Sequence, residues 1–489
     1  MSREGIERHR EMSFLWTVAF GIFTFLFVRI SRWLYRWSNP KCNGKLPPGS
    51  MGFPIIGETV DFFKPYGFNE ISPFVKKRML RYGPLFRTNI LGSNLIFSTD
   101  PEVNFEIFRQ ENKSFVFSIL ESSNTVFGKD NLFLEHGNIH RQIKQITLHL
   151  LGSDGLKRRI IDDMDKATRE HLRSKASEGT YDVKDAVASL IISYMTPKMI
   201  SDLKPETQKK LMKIYKNFNF DWFKSIFNIS TWKALYKVLM ARRDAVKVIQ
   251  DVLKKRKATR GKYGDFVDTM IEELEKDGSI FNDDYAIGLI FLVSVVPQEA
   301  TSTSISLIMK HLSENPKVLA ELKREHETIL QNREDKKSGV SWDEYRNKMT
   351  FTNMVINESL RLGNTAPVLF RKAVNDVEIN GYTIPAGWTV AVAPPVVHCD
   401  PQVYENPFEF NPWRWAGKDV RGGSKTFVVF GVGVRQCAGA EFARLQMAIF
   451  IHYLVTNYDF SLARECEVIR TPIPNFSNGL CFNISKSPE

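Results

Sequence analysis

The 489-residue chain is poor in cysteine: only Cys42, Cys399, Cys437, Cys466 and Cys481 occur. Their odd number and irregular spacing argue against a disulfide framework and for a reducing compartment around the soluble part. Internal repeats and low-complexity blocks are absent, which excludes solenoid and disordered architectures. The chain also lacks a nucleic-acid-binding module. Its net charge of +12 comes from scattered Lys and Arg residues. Such a balance leaves a membrane surface or an acidic protein as partner, and no nucleic acid.

What the chain does have is a composition of 43% hydrophobic and 25% charged residues, that of a globular body with a sizeable core. Met12 to Val28 carries no charge over 17 residues and is rich in Phe, Leu and Val. That is at the short end for a membrane span. Arg29, Arg32 and Arg36 follow, interleaved with Trp33, Tyr35 and Trp37, as snorkelling cations and interfacial rings do. No small-residue cleavage site follows, so residues 12–32 read as a retained transmembrane anchor rather than a signal peptide. The basic excess after the span places the following domain in the cytosol, single-pass, with the endoplasmic reticulum as the expected membrane. Pro47, Pro48 and Pro54 make residues 38–54 a stiff hinge.

Residues 46–489 read as one large domain, mainly α with a minor β part. Apolar periodicity predicts helices at 136–150, 157–175, 183–201, 232–256, 264–275, 283–314, 315–331, 351–362 and 438–457. Residues 84–98 and 366–397 are β-rich, and 465–485 reads as a β-hairpin.

The stretch Phe430-Gly-Val-Gly-Val-Arg-Gln-Cys-Ala-Gly439 carries the chemistry. A lone buried cysteine is usually a small hydrophobe. Here Gly431 and Gly433 permit tight turns. Phe430 can cover the ligand face of a flat cofactor. Arg435 offers a fork suited to a carboxylate. Cys437 stands just before a helix, whose N-terminal amides favour a thiolate, and Gly439 lets that helix pass close to the sulfur.

The pattern F-x-x-G-x-R-x-C-x-G resembles the haem-binding signature of the cytochromes P450 at each specified position. The resemblance implies Cys437 as axial ligand to the iron of haem b, iron protoporphyrin IX. It further implies a cytochrome P450 fold and a monooxygenase using electrons from NADPH through NADPH–cytochrome P450 reductase. Glu358-Ser-Leu-Arg361 resembles the family's ExxR motif. Arg414, in Asn411-Pro-Trp-Arg-Trp415, resembles the arginine that completes a bracing cluster with Glu358 and Arg361. Arg371 follows the usual position of an arginine that contacts a haem propionate. His140 and Lys144, four apart on one helix face, look like further propionate contacts, standing where the family has tryptophan and arginine.

The helix at 283–314 departs from the family pattern. In Val296-Pro-Gln-Glu-Ala-Thr-Ser-Thr303, Glu299 keeps the acid and Thr301 the second alcohol; both are the candidate catalytic residues. Ala300 replaces the first alcohol and Pro297 a glycine, and the proline is expected to kink the helix. Thr301, Ser302, Gln298, a substrate hydroxyl or water ordered by Glu299 are the alternatives for proton delivery. The departure keeps two further readings open: a haem-thiolate peroxide isomerase and a non-catalytic sterol or haem carrier.

By the same resemblance the pocket is lined by Phe117, Leu120, Leu292, Val296, Val368, Leu369 and Phe476, suiting a lipophilic small-molecule substrate. The aromatic run 215–232 is a further candidate contact with bilayer or substrate. The stretches at 47–58, 357–363 and 437–441 are similar to plant members of the clan that oxidises sterols, brassinosteroids and triterpenes. They are closest to the branch with cucurbitadienol and amyrin oxidases and sterol side-chain-cleaving enzymes. That likeness implies hydroxylation or multi-step oxidation of a steroid or triterpenoid.

Overall fold

The computed structural model describes residues 3–119, 132–218 and 229–487. Helix α1 (Arg3–Ser38) outruns the expected 12–32 at both ends, since its Glu- and Arg-bearing flanks are good helix formers. Its segment Leu15–Ser38 is long and apolar enough to cross a membrane, and no residue of its apolar window is buried inside the protein. The proline segment after it is tied down. Trp37 Nε1 donates to the Gly52 carbonyl at 3.1 Å, and Arg87 Nη1 donates to the Pro47 carbonyl at 2.9 Å.

The main sheet contains β1 (Leu85–Ile90), β2 (Ser93–Ser98), β3 (Phe115–Ser118), β4 (Leu369–Ala373) and β5 (Thr389–Val392). Its order is β1-β2-β5-β4-β3, with only the β2–β5 pair parallel. Register places Arg371 on β4 directly across from Phe117 on β3. The tail differs from the expected single hairpin. Val468–Arg470 pairs with Pro474–Phe476, but Cys481–Lys486 joins Tyr458–Leu462 and Thr180–Asp182 in another sheet. Asn478 and Gly479, both at positive φ, turn the chain from one sheet to the other.

The helices that position the site are α2 (Gly137–Leu151), α3 (Val183–Met199), α4 (Asp283–Glu314), α5 (Thr350–Gly363) and α6 (Ala440–Asn457). These lie within three residues of the expected bounds. Three helices absent from the sequence reading, Pro73–Tyr82, Pro101–Arg109 and Pro205–Asn217, each begin on proline. Proline reads as a breaker in a sequence but suits the first helical position, where its missing N–H has no partner anyway.

Helix α4 starts where the Asn282 side chain accepts from the Tyr285 backbone N–H at 2.9 Å, with Asp283 and Asp284 in the first turn. It runs unbroken through Pro297. Apolar residues surround it, so it serves as the central core helix. Helices α3, α4 and α6 share one large apolar cluster, and the main sheet has smaller clusters of its own.

Candidate active site

The cysteine loop is built from tight turns. Gly431 and Gly433 take φ of 69° and 68°, and the Cys437 N–H donates to the Phe430 carbonyl at 2.8 Å. Helix α6 then begins at Ala440 with Gly439 as its N-cap. Burial pushes the Cys437 thiol up, while the Gly439 N–H and the nearby Lys144 ammonium oppose that shift. The residue nonetheless has exposed surface. A thiol that is both deep and uncovered opens onto an interior cleft rather than the outer surface. The expected steric need at Gly439 is not imposed by the protein itself: a Cβ there would lie 3.9 Å from Sγ, an ordinary contact. What Gly439 supplies is its N–H. The Phe430 ring packs against the main core, with the buried Arg444 guanidinium 5.3 Å from its centre.

Behind the loop, Glu358, Arg361 and Arg414 come together. Glu358 and Arg361 are fully buried. The Glu358 carboxylate accepts from Arg361 Nε and Nη2 (2.9 and 2.8 Å), Arg414 Nε (3.0 Å), the Asn411 N–H (3.0 Å) and Trp415 Nε1 (2.9 Å). A buried carboxylate is tolerated when its lone pairs are satisfied in this way. Arg361 Nη1 also donates to the His398 and Pro407 carbonyls. His398 Nε2 accepts from the Val428 N–H at 3.2 Å, and its Nδ1 faces Asn364 Oδ1 at 2.6 Å. The cluster thus reaches the start of the cysteine loop through His398, and also through the Trp415–Phe427 ring contact at 4.6 Å.

Two of the expected carboxylate-binding groups, Arg371 and Arg435, converge on a residue that the sequence reading missed, Glu111, with His140 and Lys144 nearby. Arg435 Nε donates to Glu111 Oε1 at 2.8 Å, and Arg371 Nε lies 2.6 Å from Oε2. The second pair is close but not aligned as a hydrogen bond, so Arg371 Nε and Glu111 Oε2 keep hydrogen-bonding capacity unspent among the described residues. Arg435 further donates to the Glu135 carbonyl at 2.6 Å, and Lys144 Nζ to the Val434 carbonyl at 2.8 Å. Burial, aided by Arg435 and Lys144, holds the His140 imidazole down at about 4, so it is neutral at physiological pH. Burial pushes Arg371 down to about 10, still charged. Phe117 lies between the two guanidinium groups, its ring centre 5.5 Å from Arg371 and 5.2 Å from Arg435. It therefore walls the cation cradle, whatever it also offers a substrate.

On α4, Leu292 and Val296 are partly covered and Ala300 is exposed, one turn apart on a single stripe, although residues 301–309 are all buried. An exposed alanine inside a core helix marks an interior space. The polar neighbours point elsewhere. Glu299 pairs with Lys184 on α3 at 2.7 Å. Gln298 Nε2 donates to the Tyr215 carbonyl at 2.6 Å. Ser302 Oγ donates to the Glu299 carbonyl, and Thr301 is buried. Val368 is partly covered just before β4 and Leu369 begins that strand, while Phe476 is buried in the main core. Leu120 and the rings from Phe220 to Phe227 lie outside the described residues.

A family model described as cytochrome P450 matches residues 47–483. The chain belongs to the cytochrome P450 family. It is 62% identical over 476 residues to Cytochrome P450 708A2 of Arabidopsis thaliana, covering 97% of this chain and all of that one. It is 35% identical to Cucurbitadienol 11-hydroxylase of Siraitia grosvenorii, covering 95% of this chain and 98% of the relative. Its relatives include plant triterpenoid and sterol hydroxylases. Among solved structures, the retinoic acid-bound cyanobacterial CYP120A1 aligns with a TM-score of 0.77 at 22% identity, over 91% of this chain and all of that chain. That likeness shows the fold.

A P450 monooxygenase uses haem and NADPH-derived electrons. The residues fit the group. Arg371, Arg435 and Lys144 outnumber the acids beside them, Glu111 and Glu135, and leave a net positive cradle suited to propionate carboxylates. Arg371 Nε and further guanidinium N–H groups remain unspent. Lys144, part of that cradle, also bears on the Cys437 thiol. When bound there, haem supplies oxygen-atom insertion, which a thiolate ligand favours. Trp415 stood inside a motif already singled out; its indole N–H needed a buried acceptor, which was the available signal. For Glu111 the signal was the need of two buried arginines for a counter-charge.

Proposed function

We propose that this P450 is anchored in the endoplasmic reticulum membrane by α1, with its catalytic domain in the cytosol. It oxidises a sterol, steroid or triterpenoid by hydroxylation or by repeated oxidation such as side-chain cleavage. One oxygen atom of O2 enters the substrate and the other leaves as water, with NADPH oxidised through NADPH–cytochrome P450 reductase. The observation that carries the substrate class is full-length similarity to hydroxylases of cucurbitadienol, beta-amyrin and cholesterol. The uncharged stripe Leu292, Val296 and Ala300 agrees with a large apolar substrate.

Proton supply falls to Glu299. It adjoins Ala300 in sequence, and its partner Lys184 is about a quarter exposed. Water beside this pair carries protons from outside toward the Ala300 face, where the Ser304 hydroxyl, one turn on, is spent on the Ala300 carbonyl.

Reconstitution with the reductase, NADPH and a panel of sterols and triterpenes, read by mass spectrometry, tests the reading. NADPH-dependent products from a polycyclic isoprenoid support it. Turnover confined to other lipophilic classes overturns it. Conversion of a hydroperoxide without reductase would favour isomerase chemistry.

A further inference from the structure

Two buried arginines, from β4 and from the cysteine loop, converge on one buried acid. Glu111 and Arg371 have side chains only 2% and 4% exposed. Each guanidinium would otherwise face the other's like charge in a poorly hydrated interior. Glu111 is itself anchored, since its Oε1 accepts from the Phe117 N–H at 3.0 Å. Phe117 in turn sits across from Arg371 in the sheet register. The acid therefore joins three pieces of chain: the turn at 111, the main sheet and the loop that carries Cys437.

We propose that Glu111 is a positioning residue for the haem propionates. It holds Arg371 and Arg435 at fixed separation and lowers the positive charge of the cradle by one. Glu111 lies against the Nε edge of each arginine. The Nη groups donate to the Phe133, Glu135 and Phe370 carbonyls and, with two N–H each, keep others for a carboxylate. Without the acid, the forks separate and the cradle carries one charge too many. Lys144 and the neutral His140 do not replace it, because neither presents a negative group.

The test uses the full-length holoprotein. Glu111→Gln keeps the shape and removes the charge. Loss of an outer support of a cofactor site costs about ten- to a hundredfold in affinity, so haem transfer to excess apomyoglobin should accelerate by that factor. The ferric/ferrous midpoint potential should rise, because a negative charge near the iron has been removed. Glu111→Asp keeps the charge and should leave the potential at the wild-type value while haem still leaves faster. Should Glu111→Gln fail to fold with haem, the pair Glu111→Gln, Arg371→Gln decides. Removing one charge of each sign should restore haem content relative to Glu111→Gln, and strictly additive losses would refute the coupling. Wild-type haem transfer and potential in Glu111→Gln would overturn the proposal, as would a loss of thermal stability without any change in potential.

Discussion

The two faces of the cleft are built on opposite principles. On the thiolate side, polar groups are aimed at the working residue. The Gly439 N–H and Lys144 bear on Cys437, and Glu358 accepts five donors that brace its loop. On the α4 side, polar groups are aimed away from the open stripe. Gln298 is spent on the Tyr215 carbonyl, Ser302 on its own helix and Glu299 on Lys184. One face fixes a ligand and needs rigidity. The other presents an uncharged stripe, with the Glu299 carboxylate beside it. Ala300 stands where the family has an alcohol, and its carbonyl accepts from Ser304 Oγ one turn on at 2.9 Å, so the helix there is bonded without a side-chain hydroxyl at 300.

The thiolate side should break hardest. Glu358→Gln removes the charge that two buried guanidinium groups share. Breaking a buried pair of this kind costs about 3–5 kcal/mol. The expected outcome is protein that loses haem or shows the Soret band of a neutral-thiol carbonyl complex, read from the ferrous–carbonyl spectrum. A normal thiolate-type band at full haem content would mean that the cluster does not brace the loop.

The α4 side should break in rate rather than in assembly. Glu299→Gln should leave the spectrum intact but lower product formation by about a hundredfold, the low end for a positioned proton donor. NADPH consumption should continue, so the ratio of product to NADPH falls. Lys184→Met separates the alternatives. If Glu299 merely anchors α4 to α3, this change copies Glu299→Gln; if Glu299 carries protons, coupling survives it. Ala300→Thr, placed on the exposed stripe in the Glu299→Gln background, should regain about tenfold, or about 1.4 kcal/mol of barrier. Unchanged coupling in Glu299→Gln would remove the acid from proton delivery altogether.

The same contrast governs what could be read from the chain alone. The long helices were legible because their apolar period persists over several turns. The thiolate side was legible because its parts lie in short contiguous motifs whose spacing is chemical. Its hubs were less so. Glu111 sits in the polar stretch Gln110-Glu-Asn-Lys113, which looks like surface, and meets Arg435 across 324 positions. His398 and Val428 are 30 apart and meet through a backbone amide that no side-chain pattern encodes. On α4 the departure at Ala300 was visible, but the direction of Glu299 was not. Its partner Lys184 is 115 residues away, in a helix with no special signature. The division of the tail between two sheets was hidden because strand pairing is a nonlocal choice.

The two faces meet at His311, and there the expected effect is smallest. His311 lies on α4, stacks on Phe410 with ring centres 4.4 Å apart, and contacts Ser359 on α5, one residue from Glu358. Burial, with Lys310, Arg361 and Arg470 nearby, holds its imidazole at about 3, against 6.5 when unfolded. The unfolded chain therefore binds a proton that the folded chain refuses as soon as pH falls below 6.5. Stability contributed here is complete above that value and declines steadily toward pH 3. His311→Phe retains a stacking ring and removes the titration. Thermal melts between pH 7 and 4 should show a shallower loss of Tm in the variant. His398 and His452, also held at about 3, keep the remaining slope, so the difference should be partial. Parallel curves for the two proteins would mean that the junction of α4 with α5 yields locally to acid, admitting the proton without loss of the fold.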